Sequence, residues 1–310
     1  VLKLALASRE RTDYESRAGL QFTRTVYQDV YSAIDPTKPE LSLAGKVAVV
    51  TGASRGIGAR GFAPAFAKAG VKGLVLLARN GAQLEEVAVQ IRKISPKTEV
   101  MWVSVNISDA KEVETAFAKI KETFGHADIL VNNVGINAGK DDGAIEAQDP
   151  ETWWSNFEVN GKGTFLITRS FIRLLPSPDI SATLINVTSA GAWSVIPSQS
   201  GYCISKLLNL QQIPFVAQEH PNITAIALHP GMLATDMHDK AFQDYFDLET
   251  LELVGGLAVW LSHEHAKFLS GRFIASQWSV GELLERKDEI TSGQKLKVTV
   301  VGPFGRQQFE

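Results

Sequence analysis

The sequence predicts an α/β fold: a single doubly wound parallel sheet flanked by helices, with an N-terminal arm and a C-terminal extension. Two observations carry this expectation. From Lys46 onward, short continuous apolar runs alternate with stretches whose apolar residues recur at helical spacing. The first apolar run also passes straight into a turn holding Gly52, Gly56 and Gly58, after which a helical pattern begins.

The elements follow in order. Residues 1–44 carry many charges, Pro36 and Pro39, and no strong periodicity, so they read as an extension and not a domain. Residues 47–50 are an unbroken apolar run of the kind found in strands covered on both faces. A helix is expected over 57–69 and a strand over 74–77. Leu84, Val87, Ala88 and Ile91 mark the apolar face of a helix over 83–94. The alternation continues with a strand over 100–105, a helix over 110–124 and a strand over 129–131. Helices are expected over 151–174 and 200–219, and strands over 183–187 and 223–228. A catalytic domain over 45–283 and a tail over 284–310 complete the division. Pro64 and Pro214 fall inside predicted helices, where kinks or late starts are expected.

Composition sets outer bounds. Hydrophobic residues at 45% and charged residues at 21% are ordinary for a folded globular chain. A formal charge of −3 gives no global basic field to attract nucleic acid. The lone cysteine, Cys203, excludes an intramolecular disulfide and suits a reducing compartment. No run approaches the roughly 18 continuous apolar residues that a membrane span needs. The apolar start over 1–7 is short for a signal-peptide core, and charge returns at Arg9, Glu10 and Arg11. A cytoplasmic protein is expected.

The turn after the first strand reads Thr51, Gly52, Ala53, Ser54, Arg55, Gly56, Ile57, Gly58. A strand, a glycine turn and a helix start make a place for a pyrophosphate. Glycine lets oxygens approach the amides, and the helix N-terminus offers unpaired N–H groups and partial positive charge. A tight βα turn without ligand is the alternative. Which dinucleotide binds is a matter of charge. An acid at the end of the second strand would bond a ribose 2′-hydroxyl and repel a 2′-phosphate. Here Ala78, Arg79 and Asn80 hold no acid, and Arg79 and Arg55 suit a 2′-phosphate, so NADP(H) is favoured over NAD(H).

Several motifs together resemble the short-chain dehydrogenase/reductase family, over about 41–283. Thr51 to Gly58 is similar to its TGxxxGxG loop, and Asn132, Asn133, Val134, Gly135 to its NNAG segment with valine for alanine. Glu158, Val159, Asn160 resembles the site of its relay asparagine. Ser189 and the run from Tyr202 to Lys206 resemble its catalytic serine and YxxxK, with Tyr202 lying 13 residues after Ser189. Pro230, Gly231 and Thr235 resemble its PGxxxT. Where the family has an aspartate after the third strand, this chain has Asn106 and Ile107 at the adenine pocket. The arm, the paired Trp153 and Trp154 and the tail resemble a fungal branch.

The resemblance implies a Rossmann-type fold, a nicotinamide cofactor and a homodimer or homotetramer. It gives Asn160, Ser189, Tyr202 and Lys206 catalytic roles. It places cofactor contacts at Gly52, Ser54, Arg55, Gly56, Ile57, Gly58, Arg79, Asn106, Ile107, Asn133, Val134, Gly135, Tyr202, Lys206, Pro230, Gly231 and Thr235. Reducing a ketone needs hydride at carbon and a proton at oxygen. A free tyrosine, with a pKa near 10, is a plausible acid but a poor base at neutral pH. Lys206 lies one helical turn on, and an ammonium at about 4 Å would favour the phenolate by about 4 kcal/mol. Ser189 would orient the substrate oxygen, and Asn160 would link Lys206 to solvent through water.

Other residues carry less. His229, before Pro230, is expected to be placed by the backbone. His263 and His265 lack a full ligand set, so no metal is expected. Cys203 is expected to be a buried, inert thiol on another helix face. Met237, Phe242, Tyr245, Phe246 and Trp193 would line an apolar mouth suited to a hydrophobic or cyclic ketone, or else serve packing or an oligomer contact. A non-redox enzyme on the same scaffold, such as an isomerase, dehydratase or cyclase, is the alternative. A catalytically silent nucleotide-binding protein is a third reading, weakened by the intact Ser189, Tyr202 and Lys206.

Overall fold

A computed structural model describes residues 20–140, 142–235, 248–302, 305 and 306. Seven parallel strands form one sheet in the order β3-β2-β1-β4-β5-β6-β7. They are β1 (Val47–Thr51), β2 (Gly73–Ala78), β3 (Glu99–Ser104), β4 (Ile129–Asn132), β5 (Ala182–Val187), β6 (Ile223–His229) and β7 (Arg272–Ala275). The helices between them are α1 (Ala63–Lys68), α2 (Gly81–Ile94), α3 (Ala110–Phe124), α4 (Pro150–Asn156), α5 (Thr164–Leu174), α6 (Ser200–Glu219) and α7 (Leu251–Leu261). Two short helices follow β7, α8 (Val280–Glu285) and α9 (Lys287–Thr291).

Layering explains the strand sequences. In β1, β2, β4, β5 and β6 every residue is buried, because helices cover both faces and apolar side chains are needed on both. At the edge, β3 alternates toward solvent. Phe62 and Phe66 are wholly buried, and each contributes about 1.5–3 kcal/mol through lost apolar surface. Helix starts are fixed by side chains. Asn80 accepts from Gln83 N–H, Asp109 from the Lys111 and Glu112 amides, and Asp149 from Thr152 N–H. Such caps are worth about 1 kcal/mol each.

All six strands expected from sequence are present. The seventh, β7, was not foreseen, since it has four residues and opens on a charge. That charge is absorbed locally: the Arg272 guanidinium donates to the Phe268, Ser270 and Ile290 carbonyls. The two prolines behave differently: at Pro64 the α-helix starts late, as expected, while at Pro214 it does not. Pro64 sits in the first turn of α1, directly after a π-helical stretch, Gly58–Phe62, in which Ala63 N–H bonds back to Gly58. The wider turn gives the ring room where a tighter helix would clash. At Pro214, α6 runs on to Glu219 without ending.

Chain order reverses between β1 and β4, which opens a crevice at the carboxyl ends of these central strands. The described part of the arm bonds to the segments that follow β7 and precede α7. Val26 bridges Trp278, Tyr27 N–H donates to Gln277 O, and Thr250 N–H donates to Gln28 O. Ile34, Leu41 and Leu43 are buried in the main core. No helix among the described residues is long and apolar enough to cross a membrane.

Candidate active site

The glycine loop leaves β1 in a conformation that only glycine holds easily: Gly52 has φ +65°. A β-carbon on Gly58 would lie 2.3 Å from the Gly52 carbonyl oxygen, so loop and helix start are pressed together. Asn133 braces this turn. Its Nδ2 donates to Thr51 O at 3.0 Å, while Thr51 Oγ1 accepts from the Asn133 and Val134 amides. The result is a bare backbone concavity at a helix start, which fits a pyrophosphate. Arg55 and Arg79 are exposed beside it, and Asn80 is committed to capping α2.

The adenine side is less open than expected. Asn106 is exposed, but its Oδ1 accepts from Ser108 N–H and its own amide donates to Glu112. Ile107 is buried, and a β-carbon at Gly163 would meet it at 2.7 Å, so its side chain serves packing. At the other end of the crevice, Gly231 (φ +92°) follows Pro230, and Met232 N–H donates to the Glu249 carboxylate at 2.6 Å. Thr235 is half-buried. Met237, Phe242, Tyr245 and Phe246 lie outside the described residues.

Between these ends stand Asn160, Ser189, Tyr202 and Lys206. Ser189 follows β5 and caps the turn Ala190–Ala192 by accepting from Gly191 N–H. Tyr202 and Lys206 share the first turns of α6, and the Lys206 Nζ lies 5.9 Å from the Tyr202 ring centre. Asn160 belongs to a second π-helical stretch, Phe157–Gly163, between α4 and α5. Its amide grips Ile136 at both peptide atoms: Oδ1 accepts from Ile136 N–H at 2.8 Å, and Nδ2 donates to Ile136 O at 2.9 Å. Trp153 Nε1 donates to Ser200 Oγ, holding the start of α6.

The electrostatics correct one expectation. From sequence, an ammonium at about 4 Å is expected to lower the Tyr202 pKa. In the structure the ammonium donates to Val187 O at 3.0 Å, and Lys206 is not among the causes of the Tyr202 shift. Burial pushes the Tyr202 phenol up, a hydrogen bond with Ser189 pulls it down, and the Cys203 thiol adds a further upward push. Lys206 itself is lowered to about 8 by burial. It is still mostly protonated at neutral pH.

Cys203 is buried, and burial raises its thiol. His229 is buried with neither ring nitrogen hydrogen-bonded, and burial lowers it to about 4. His263 and His265 stack at 5.4 Å, and His265 Nε2 bonds Trp260 O. Among the described residues no three His, Cys, Asp or Glu side chains gather as a metal site. Sequence reasoning missed Ser205. It is buried between Tyr202 and Lys206 and bonds both Asn160 and the Tyr202 carbonyl. Nothing in its sequence context signals this, because any small residue would read alike there.

Sheet order, glycine loop and crevice together define an α/β protein of the dinucleotide-binding class. The sequence profile of the short chain dehydrogenase family matches residues 46–245. The chain belongs to this family of oxidoreductases, which bind nicotinamide nucleotides. It is 36% identical to the short chain dehydrogenase andI of Emericella variicolor over 90% of this chain and 96% of that one. It is 35% identical to the short chain dehydrogenase citE of Monascus ruber, over 92% and 98%. Both relatives are fungal, and both alignments run well past the stretch matched by the profile.

Among solved structures, a short chain dehydrogenase from Salmonella enterica serovar Typhi superposes with a TM-score of 0.68 at 25% identity. That match covers 77% of this chain and 99% of the Salmonella chain. A gluconate 5-dehydrogenase from Burkholderia cenocepacia, in complex with NADP and tartrate, gives 0.68 at 23% identity. It covers 79% and 96%, and at that identity it shows the fold alone.

Proposed function

We propose that this protein is an NADP(H)-dependent oxidoreductase that interconverts a ketone and a secondary alcohol, with Tyr202 as general acid and base. The carrying observation is the convergence of Ser189, Tyr202 and a buried Lys206 ammonium beside the β4 and β5 ends. The bound nicotinamide would supply the hydride in reduction and accept it in oxidation. In reduction, Tyr202 gives its hydroxyl proton to the carbonyl oxygen, while Ser189 hydrogen-bonds that oxygen and aligns it. Lys206 steadies the phenolate left behind, and Asn160 lies on the path by which the proton is restored. In oxidation the same groups run in reverse.

Residues 52–58 would hold the pyrophosphate through backbone amides, and Arg79 with Arg55 the 2′-phosphate. Asn106 and the Ile107 backbone would border the adenine. Asn133, Val134, Gly135, Pro230, Gly231 and Thr235 would border the nicotinamide half. Residues 45–283 form the catalytic unit in this reading, with the described part of the arm packed against it, and the enzyme works in the cytoplasm.

Trp193 supports a hydrophobic or cyclic substrate. The residue, four positions after Ser189, is 45% exposed, and its ring is braced edge-on by Phe273 at 4.3 Å. A homo-oligomer is supported by Phe165 on α5 and Leu208 and Phe215 on α6, large apolar side chains left exposed on adjoining helices. The test is a panel of hydrophobic ketones followed at the NADPH absorbance band. Wild type should consume NADPH, and Tyr202→Phe should lose about 10²-fold or more in kcat while keeping NADPH affinity. A Tyr202→Phe variant of undiminished kcat would remove the tyrosine from the reaction.

A further inference from the structure

We infer that Ser205 is a positioning residue: by fixing the Asn160 amide to α6, it holds the β4 loop closed over the Lys206 ammonium. The inference rests on the roles given to Tyr202 and Lys206 above. Ser205 is wholly buried. Its hydroxyl hydrogen is donated to the Tyr202 carbonyl at 2.7 Å, which leaves the oxygen as an acceptor. That oxygen receives an Asn160 Nδ2 hydrogen at 2.8 Å.

An asparagine amide has two donors at one end and an acceptor at the other. Here all three are used. One N–H goes to Ser205 and the other to Ile136 O, while Oδ1 receives Ile136 N–H. Ile136 alone would orient the amide. Ser205 decides where it stands, because it alone of the two belongs to α6.

The consequence falls on Lys206. Ile136 follows Gly135, and a β-carbon on Gly135 would lie 2.8 Å from Lys206 Nζ and 3.6 Å from Asn160 Oδ1. The 135–136 backbone is therefore the lid over the ammonium, and Asn160 is its hook. Ser205 is the eye that hook catches, and it directly precedes Lys206 in the chain. A closed circuit runs from Ser205 through Asn160 and the 135–136 backbone to Lys206. Without the hydroxyl, one buried Asn160 N–H has no acceptor, the loop can draw back, and water reaches the amine.

The test compares Ser205→Ala, Ser205→Cys and Ser205→Thr by residue-resolved amide exchange and by kcat against pH. In Ser205→Ala the Ile136 amide should exchange about tenfold faster, with the β2 amides unchanged. The basic limb of the kcat profile, where the Tyr202 and Lys206 pair loses its proton, should move up by about half a pH unit or more. Ser205→Cys, close in shape but a weak donor, should move both the same way by less. Ser205→Thr, which keeps the hydroxyl, should restore both.

Unchanged Ile136 exchange in Ser205→Ala, uniformly faster exchange across the sheet, or an unmoved pH profile would each overturn the inference. If wild type reduces no ketone, the proposed activity fails. The Ile136 exchange then decides this inference by itself.

Discussion

Lys206 and Gly135 meet so closely that a β-carbon on the glycine would sit 2.8 Å from the ammonium nitrogen. The contact explains a glycine in the fourth position of the Asn132 to Gly135 segment without appeal to a turn. The backbone must approach a cation that already donates to Val187 O.

Gly135→Ala should therefore displace the Lys206 amine from its seat. Errors of about 1 Å in such groups cost about 10²-fold in rate, so kcat should fall by about that much while the fold persists. Steady-state kinetics with circular dichroism as a fold control measure this. Retained kcat in a folded variant would show that the contact has no catalytic weight.

Burial of Lys206 has a stability cost with a definite sign. The folded-state value near 8 lies below the ordinary lysine value of 10.5, so the unfolded chain binds more protons between them. The cost, about 3 kcal/mol, is fully present below pH 8 and fades as pH rises toward 10.5. Lys206→Met should thus be inactive yet more stable than wild type at pH 7, and the gain should shrink above pH 8. Denaturant unfolding at several pH values reads this out, and a Met variant less stable at pH 7 contradicts it.

His229 behaves likewise at the acid end. Its value near 4, against 6.5 for a free histidine, means that stability present above pH 6.5 is lost as pH falls toward 4. The loss should reach about 3 kcal/mol. His229→Leu removes two unpaired ring nitrogens and should flatten the stability profile between pH 6.5 and 4. An equally steep acid decline in the variant would assign that decline to other groups.

Arg79 follows a β2 end that carries no acid. Arg79→Glu should weaken NADPH binding by about 10-fold to 100-fold, as expected for losing a hydrogen bond to a charged group, and affect NADH far less. Titration of both nucleotides by fluorescence checks it. Equal affinities in wild type would end the argument from arginine.

Much of this architecture was readable from sequence because fully covered strands leave an unmistakable mark. β1 and β2 are almost wholly apolar runs, and β5 and β6 are mostly apolar, with every residue buried. β7 left no such mark, since its first residue is a charge neutralised by carbonyls far apart in the chain. The site divides in the same way. The glycine loop, Ser189, Tyr202 and Lys206 were legible because spacing along the chain carries them. The direction of the Tyr202 shift was not, because it depends on how deeply α6 is buried and where an amine finds a carbonyl. Ser205 was invisible because its partners, Asn160 and the Tyr202 carbonyl, are recognised only in three dimensions.

The stitching of the arm to the last third of the chain bears on how the molecule is made. The Arg24 and Thr25 amides both donate to Glu282, 258 and 257 residues away, and Arg286 donates to Phe22 O. During synthesis the segment 22–25 leaves the ribosome long before Glu282 and Arg286, so these bonds can form only after α8 has followed. Until then the buried face of the arm, Ile34, Leu41 and Leu43 included, cannot all be covered, so closing the fold depends on two segments far apart in sequence meeting.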